Sequence, residues 1–209
     1  GMSGIFNDLL MHACMGYVDD CLIVGNTEEQ FVDNVILVLS RLSQHRLRLK
    51  LSKCTFGVSE IEFLGFMVNT AGYRMSESRI SAISIIPPPN SLTKLRSFLG
   101  MTNFFRQFIP HYTKVSHMLV ALTRHNAVFK WTDAHTEAFN LLKQALTQVS
   151  PLFFLDYELP IYMNIDASSE RTGAELFQTP SGVHCSIAFL SHKFSEAESK
   201  WSTIEQELY

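Results

Sequence analysis

Two adjacent aspartates in a short apolar segment are the residues of this sequence whose types and spacing most clearly suggest chemistry. Met15–Val24 has the pattern of two short strands around Asp19 and Asp20, which predicts a β-hairpin with both carboxylates at its turn. The two negative charges repel each other, and a divalent cation bound beside them removes that cost. Magnesium binds carboxylates together with phosphate oxygens, so the pair suits phosphoryl or nucleotidyl transfer. The alternative is a plain Asp-Asp turn, because aspartate is a common turn residue.

Charge is distributed unevenly along the chain, although the net charge of the 209 residues is only −3. Residues 1–40 hold six acidic residues and no Lys or Arg, residues 41–130 hold 13 basic and three acidic residues, and residues 131–209 hold four basic and 11 acidic residues. A basic middle between acidic ends favours a polyanion such as nucleic acid as partner. The alternative is that the basic residues form an ordinary solvated face.

Composition excludes several classes of protein. A hydrophobic content of 46% excludes a mainly disordered chain, and no apolar run approaches the roughly 20 residues of a membrane helix. We expect an intracellular protein, cytoplasmic or nuclear, with no membrane partner. Cys14, Cys21, Cys54 and Cys185 form no C-x-x-C pair, so neither a disulfide framework nor a zinc site is expected.

Hydrophobic periodicity predicts the elements that position these residues. Thr27 and Gln30 form a capping box that opens a helix, and Pro87-Pro88-Pro89 marks a boundary, because three prolines continue neither a helix nor a central strand. Further helices are predicted over about Phe6–Cys14, Leu92–Phe108, Tyr112–Arg124 and Ala134–Gln148, and from a capping box of Ser195 and Glu198 to the last residue. Strands are predicted over Leu47–Leu51, Ile61–Val68, Leu159–Ala167, Gly173–Gln178 and Val183–Leu190.

A set of ordered motifs resembles one known family. Tyr17-Val18-Asp19-Asp20 resembles the Y-x-D-D box of reverse transcriptases. The other matches, in chain order, are Leu51–Phe56 to a K-C-x-F segment, Glu62–Phe66 to the primer-grip strand, Leu95–Pro110 to the thumb signature, Phe129–Thr132 with Ala138–Leu146 to an F-x-W-T…A-F-x-x-L-K segment, and Asp166–Ser168 with Gly173-Ala174 to the first ribonuclease H strands. The sequence therefore resembles a Ty3/gypsy-type long-terminal-repeat retrotransposon Pol polyprotein.

The resemblance implies an α+β protein of several subdomains. Residues 1–86 correspond to the C-terminal part of a reverse-transcriptase palm, residues 87–130 to a helical thumb, residues 131–158 to a connection, and residues 159–209 to the N-terminal part of a ribonuclease H-like sheet. It also implies a fragment of an RNA-directed DNA polymerase and ribonuclease H that transfers nucleotides with Mg²⁺ in its full-length parent.

Four acidic residues are implied as metal ligands. In the family the first Asp of the box binds magnesium and the second is a weaker or supporting acid, which implies these roles for Asp19 and Asp20. Asp166 matches the first ribonuclease H ligand, on a strand whose apolar residues face the other side. Glu205 and Glu207 are both candidates for the second ligand, and Glu207 is preferred because it directly precedes a leucine. The alternative for Glu207 is a solvated helix acid.

Other residues are implied as contacts to an RNA–DNA or DNA duplex. Tyr17 would pack near the primer terminus, and Phe63-Leu64-Gly65 would hold the primer 3′ end, a role compatible with a core strand. Lysine and arginine side chains of the thumb would contact phosphates, or would be ordinary surface charges; they are Lys94, Arg96, Arg106 and Lys114. Lys53 would lie near the incoming triphosphate, with Lys50 or a plain solvated lysine as the alternatives.

Departures from the family pattern set further expectations. A further metal-binding Asp and the fingers lie upstream in the family, and later ribonuclease H acids lie downstream, so we expect the isolated chain neither to extend a primer nor to cleave a hybrid. Glu175 occupies a strand position where an apolar residue is expected, and a buried unpaired Glu is costly. Exposed apolar faces and strand edges predict self-association. The alternatives to a Pol fragment are a non-catalytic nucleic-acid-binding or protein-interaction module and the inert product of a decayed element.

Overall fold

A computed structural model describes residues 6, 9, 12–168, 170–195 and 197–201 of the chain. It divides into two compact units, residues 1–63 and residues 64–209. No helix within the described residues is long and apolar enough to cross a membrane.

The first unit is built from a hairpin and one long helix. Strands β1 (Cys14–Tyr17) and β2 (Asp20–Ile23) pair antiparallel, with Cys14 opposite Ile23 and Tyr17 opposite Asp20. Helix α1 (Glu28–Gln44) begins at Thr27, whose hydroxyl accepts from the Gln30 N–H at 3.1 Å, as the capping box predicts. Val38 and Leu42 of α1 are buried with Cys14, and they make the core of this unit together with Phe6, Leu9 and Ala13.

The rest of the first unit differs from the sequence prediction. The alternating segment Leu47–Leu51 is not a strand: residues 47–50 are irregular, and a 3-10 turn follows at Leu51–Lys53. Leu47 and Leu49 are 42% and 45% exposed, so their alternation does not mark a buried face. Strand β3 (Glu60–Phe63) ends the unit. Most of the helix predicted over Phe6–Cys14 lies outside the described residues, and Cys14 itself belongs to β1.

The second unit begins with short antiparallel strands. Strands β4 (Phe66–Asn69), β5 (Gly72–Met75) and β6 (Leu152–Phe153) pair with β5 in the centre. The single strand predicted over Ile61–Val68 is therefore wrong, because Leu64 and Gly65 have φ of +54° and +81° and break it with a turn.

Four helices follow and enclose the main core. They are α2 (Glu77–Ser84), α3 (Leu92–Phe104), α4 (Tyr112–Ala121) and α5 (Asp133–Thr147), with a 3-10 turn at Arg106–Phe108. Helix α5 buries Phe139, Leu142 and Leu146 completely, as its predicted apolar face requires. The Lys143 ammonium of α5 donates to the carbonyls of Ser84 and Ile86 at 2.7 and 2.8 Å, which satisfies the C-terminal end of α2 just before the three prolines.

A second antiparallel sheet closes the described chain. Strands β7 (Tyr162–Ala167), β8 (Arg171–Gln178) and β9 (Cys185–Lys193) pair in that order. Between β8 and β9 a bulge leaves Phe177 opposite Ser186 while Leu176 is opposite Ala188. The Ser195 and Glu198 capping box is present, with Glu198 N–H donating to Ser195 Oγ at 3.3 Å, but most of the helix predicted after it lies outside the described residues.

Candidate functional site

The first candidate site is the turn of the β1–β2 hairpin. Because Tyr17 pairs with Asp20, the turn consists of Val18 and Asp19 alone. Tyr17 and Val18 are 59% and 70% exposed, and both aspartates are exposed. Val18 has φ +54°, a conformation that strains a β-branched residue, and such strain is often found at functional sites. The hairpin thus presents two adjacent carboxylates to solvent at a two-residue turn.

Beneath the turn the hairpin is apolar and holds two cysteines that form no disulfide bond. Cys14 is buried and Cys21 is half-buried. Burial and, to a smaller extent, the neighbouring Cys14 together raise the pKa of the Cys21 thiol to about 12. Cys21 is therefore a neutral packing residue that anchors the strand carrying Asp20.

The segment predicted to hold a primer end contains the turn between β3 and β4. Phe63 is the last residue of β3 and is half-buried. In the second unit, the Gly65 carbonyl accepts from Ser76 N–H at 3.1 Å, and the Arg79 guanidinium fills the space where a Cβ on Gly65 would lie. Leu64 is 38% exposed. The positive φ favours a glycine at position 65, whereas the Arg79 guanidinium is the far end of a flexible side chain that can move aside.

The four basic residues predicted on the thumb have different surroundings. Lys94 and Arg96 are exposed on α3, two positions apart, so they do not share a helix face. Lys114 is exposed at the start of α4. The Arg106 guanidinium donates to the Ser191 carbonyl and lies 5.9 Å from the centre of the Tyr112 ring, so protein groups already hold it.

The second candidate site surrounds Asp166 on β7. Its side chain is 78% exposed, and its Oδ2 lies 3.8 Å from Nδ1 of His111, the residue before α4. Asp166 pairs with Gly173, where a Cβ would lie 2.7 Å from the same His111 nitrogen. The glycine therefore makes room for the His111 ring over the sheet beside Asp166.

Hydrogen bonds between Ser191 and Thr113, here called the Ser191 seam, attach the start of α4 to this sheet. Ser191 of β9 is 8% exposed, and its hydroxyl accepts from Thr113 N–H at 2.9 Å and meets Thr113 Oγ1 at 2.7 Å. These bonds satisfy donors at the helix start that would otherwise be orphaned. With the Arg106 contact, they attach the helical segment to β9, which is joined through β8 to the strand that bears Asp166.

Comparison with protein families identifies the family of the chain. The profile of the reverse transcriptase (RNA-dependent DNA polymerase) family matches residues 1–68, and that of the RNase H-like domain found in reverse transcriptase matches residues 131–209. The chain belongs to the reverse transcriptase and ribonuclease H family of retrotransposon Pol polyproteins. The resemblance read from the sequence motifs is thereby confirmed.

Curated relatives of this Pol family are much longer than the chain. The Retrovirus-related Pol polyprotein from transposon opus of Drosophila melanogaster is 32% identical over 215 residues, which cover 98% of this chain and 21% of that protein. The Transposon Tf2-3 polyprotein of Schizosaccharomyces pombe is 30% identical, over 92% of this chain and 14% of that protein. The chain thus spans about a fifth or less of these relatives.

Solved structures similar to the chain come from a foamy virus. Its protease-reverse transcriptase dRH in complex with double-stranded DNA is 26% identical, with a TM-score of 0.84, and covers 99% of this chain and 36% of that chain. The same enzyme in complex with an RNA/DNA hybrid has a TM-score of 0.80 over 99% of this chain and 28% of that chain. The predicted α+β class with several subdomains is confirmed.

Glu175, the residue that departs from the pattern expected of this Pol family, is not unpaired. Its side chain is 21% exposed, and its Oε1 accepts from Ser186 Oγ at 2.6 Å and contacts His184 Nε2 at 2.7 Å. Burial alone would raise the pKa of Glu175, but the hydrogen bonds from Ser186, His184 and Asn164 outweigh it and lower the pKa. The cluster shares a sheet face with Asp166, since Glu175 pairs with Asn164 two residues before it.

Carboxylate oxygens at both sites suit a hard divalent cation. Asp19 and Asp20 supply two at the hairpin, and Asp166 supplies one on the sheet. Among the described residues, no group of three or more His, Cys, Asp or Glu could hold a metal ion. The donor chemistry therefore fits magnesium as part of a ligand set. Glu205 and Glu207 lie outside the described residues.

Sequence reasoning did not find His111, Ser191 or the partners of Glu175. His111 and Ser191 act across 55 or more positions of sequence, and no local pattern marks such contacts. One signal was available, because an acid inside an otherwise apolar strand implies polar partners on the neighbouring strand.

Proposed function

We propose that this chain supplies one half of each catalytic centre of a retroelement RNA-directed DNA polymerase and ribonuclease H. At the polymerase centre Asp19 is the principal metal ligand, Asp20 is the supporting acid, and Tyr17 packs beside the primer terminus. At the ribonuclease H centre Asp166 is the first ligand and Glu207 the second. The observation that supports this most directly is the two-residue turn that exposes Asp19 and Asp20 together.

Magnesium is the cofactor of this proposal. When bound, it stabilises the charge that develops on a phosphate during transfer. The residues of the chain have simpler tasks. The β1–β2 pairing fixes the spacing of Asp19 and Asp20, and the seam at Ser191 joins the start of α4 to β9, the outer strand of the sheet that carries Asp166.

The proposed partner is a primer–template duplex, either RNA–DNA or DNA. Phe63, Leu64 and Gly65 contact the primer end, and the basic side chains of the thumb contact phosphates without reading sequence. Of these, Lys94, Arg96 and Lys114 are exposed, and Arg106 positions Ser191 as well. The proposed subdomains keep the predicted bounds: palm 1–86, thumb 87–130, connection 131–158 and ribonuclease H 159–209. We place this activity inside the cell, in the cytoplasm or nucleus, because its substrate is a nucleic acid.

Manganese, a paramagnetic stand-in for magnesium, tests the hairpin. Adding Mn²⁺ to the labelled chain should broaden the amide resonances of Tyr17–Asp20 first, and Asp19→Asn should remove that broadening. The matched control is Asp33→Asn, which changes an exposed aspartate of α1 in the same unit. Broadening that Asp19→Asn leaves intact would contradict the assignment of Asp19.

Duplex binding is tested separately by fluorescence anisotropy with a labelled RNA–DNA hybrid. Binding that weakens steeply with salt supports the thumb contacts, because each neutralised phosphate adds to the salt dependence. Absence of binding at low salt would contradict the proposal that a duplex is the partner.

A second function, self-association, is favoured by one face of the β7–β9 sheet. Ile165 and Leu190, which lie on either side of Ala174 in the register, are 41% and 52% exposed, and Met163 beside them is 54% exposed. We propose that two copies of the chain pack these faces together. Light scattering should show a concentration-dependent dimer that Leu190→Glu dissolves; a monodisperse monomer at high concentration would contradict it.

A further inference from the structure

A small cavity beside Asp166 joins the start of α4 to the first turn of the β7–β8 hairpin. Its volume is about 110 Å³, and its lining includes His111, Lys114, Asp166, Ser168 and Arg171. The cavity therefore brings basic side chains from two elements, α4 and β8, to one place. Neither the family profiles nor the sequence motifs assign it a role.

Arg171 is the residue of this cavity with an unmet hydrogen-bond requirement. Its side chain is only 18% exposed, and one terminal nitrogen, Nη2, lies 3.3 Å from the Glu170 carboxylate. Its Nε is buried and has no hydrogen-bond partner within the part of the chain that the structure describes. A buried donor of a charged group without an acceptor is costly, so an acceptor that reached Nε after a shift of the side chain would stabilise the fold.

The strand register adds a second, independent indication. Arg171 lies directly opposite Lys193 on β9, on the same sheet face as Gly173 and Asp166. Like charges directly opposite each other in a sheet are destabilising. An anion bound between or beside them attracts both side chains and offsets their repulsion. A planar guanidinium is well suited to bind phosphate oxygens.

Charge and size together define the ligand. Arg171 and Lys114 line the cavity, and Lys193 lies opposite Arg171 in the strand register, whereas the Glu170 carboxylate lies 3.3 Å from Arg171 and offsets part of its charge. The Asp166 carboxylate also lines the cavity, but its side chain is 78% exposed, so solvent screens its repulsion of a second anion. The volume of about 110 Å³ is enough for one tetrahedral oxyanion.

We propose that this cavity is a phosphate site, in which the Arg171 guanidinium, after a shift of its side chain that exposes Nε, and the Lys114 ammonium bind one phosphate group. The anion chemistry follows from the residues above. Its source, a backbone phosphate of the duplex, rests on the proposed function. The site would fix the duplex at the junction of α4 and the β7–β9 sheet, next to Asp166.

The first experiment uses inorganic phosphate and the side-chain Nε–H resonance of Arg171 in the ¹⁵N-labelled chain. Phosphate should shift this resonance saturably, whereas chloride at matched ionic strength should not. Lys114→Gln should weaken the phosphate affinity about tenfold. Lys130→Gln, which changes an exposed lysine away from the cavity lining, should leave it unchanged. No shift of the Arg171 resonance with phosphate would overturn the site.

The second experiment identifies the source of the phosphate. Affinity for an RNA–DNA hybrid is measured across a salt series for the unchanged chain, Lys114→Gln, Arg171→Gln and Lys130→Gln. The slope of log affinity against log salt should fall by about 1 for each cavity variant and stay constant for Lys130→Gln. Lys114 is exposed, so its variant keeps the test valid if Arg171→Gln does not fold.

The two experiments separate this inference from the proposed function. A phosphate-induced shift with unchanged salt slopes in both cavity variants would overturn the backbone source and leave free or terminal phosphate as the ligand. If the unchanged chain bound no duplex, the proposed function would fail, and the phosphate titration would still decide the cavity.

Discussion

Replacing Ser186 by alanine should destabilise the chain through the charge of a single acid. The Ser186 hydroxyl donates to Glu175 Oε1 at 2.6 Å, and only 21% of the Glu175 side chain is exposed. Ser186→Ala leaves that carboxylate with fewer donors in the same half-buried place. His184 and Asn164 still donate to the carboxylate, so it keeps part of its stabilisation.

The size of the effect follows from the kind of hydrogen bond. A bond to a charged group contributes about 1.5–3 kcal/mol, and a bond between neutral groups about 0.5–1.5 kcal/mol. We expect Ser186→Ala to lower the free energy of unfolding by about 2 kcal/mol at pH 7, where Glu175 is ionised. Because the pKa of Glu175 is lowered in the folded chain, this stabilisation is present above the ordinary glutamate pKa. It is lost as the pH falls through the lowered folded value.

Two measurements check this reasoning. Urea unfolding at pH 7 gives the free-energy change, with Ser150→Ala, an exposed serine, as the matched control. An NMR titration of the Glu175 carboxyl carbon gives its pKa directly. In the unchanged chain the midpoint should lie below the usual glutamate range, and in Ser186→Ala it should rise, because burial then opposes ionisation with less compensation. An unchanged midpoint in the variant would refute the role given to Ser186.

Three further outcomes are expected. Val18→Gly should stabilise the first unit by about 0.5–1 kcal/mol in urea unfolding, because glycine adopts the positive φ of this turn position without strain; a loss of stability would contradict the strain. Gly72→Ala should lower the thermal midpoint markedly, because its Cβ would lie within 3 Å of the Leu152–Phe153 backbone, whereas Gly100→Ala, with open space around its Cβ, should not. Cys21 should react with iodoacetamide at pH 8 about a thousandfold more slowly than the same thiol in urea, because burial raises its pKa from 9.0 to about 12; equal rates would contradict that value.

Local sequence patterns predicted the elements whose contacts are local. The β1–β2 hairpin and the helices α1 and α5 were predictable, because a cap or an apolar stripe lies within each segment. The strand predicted over Leu47–Leu51 was wrong, because alternation predicts a strand only where a neighbouring strand and a buried face exist. The break at Leu64 and Gly65 carried a signal, the glycine itself, within a run that otherwise reads as one strand.

The candidate sites were predictable in part. Asp19, Asp20 and Asp166 were proposed from short motifs, and the structure places Asp19 in the exposed hairpin turn, Asp20 at the exposed start of β2 and Asp166 on an exposed face of β7. What the motifs could not contain is the setting of Asp166. The His111 ring beside it, and the Ser191 seam that orients that segment, depend on how helices and sheet pack. Long-range contacts of this kind leave no periodic pattern in the sequence.

The seam at Ser191 has a consequence for the order in which the chain matures. Arg106 and Thr113 precede their partner Ser191 by 85 and 78 residues, so both leave the ribosome well before it does. At about 5–20 residues per second, the first turn of α4 waits roughly 4–16 s with its donors bound only to water. During synthesis the helical segment therefore lacks part of its packing contacts. It becomes anchored only when the third strand of the second sheet has been made.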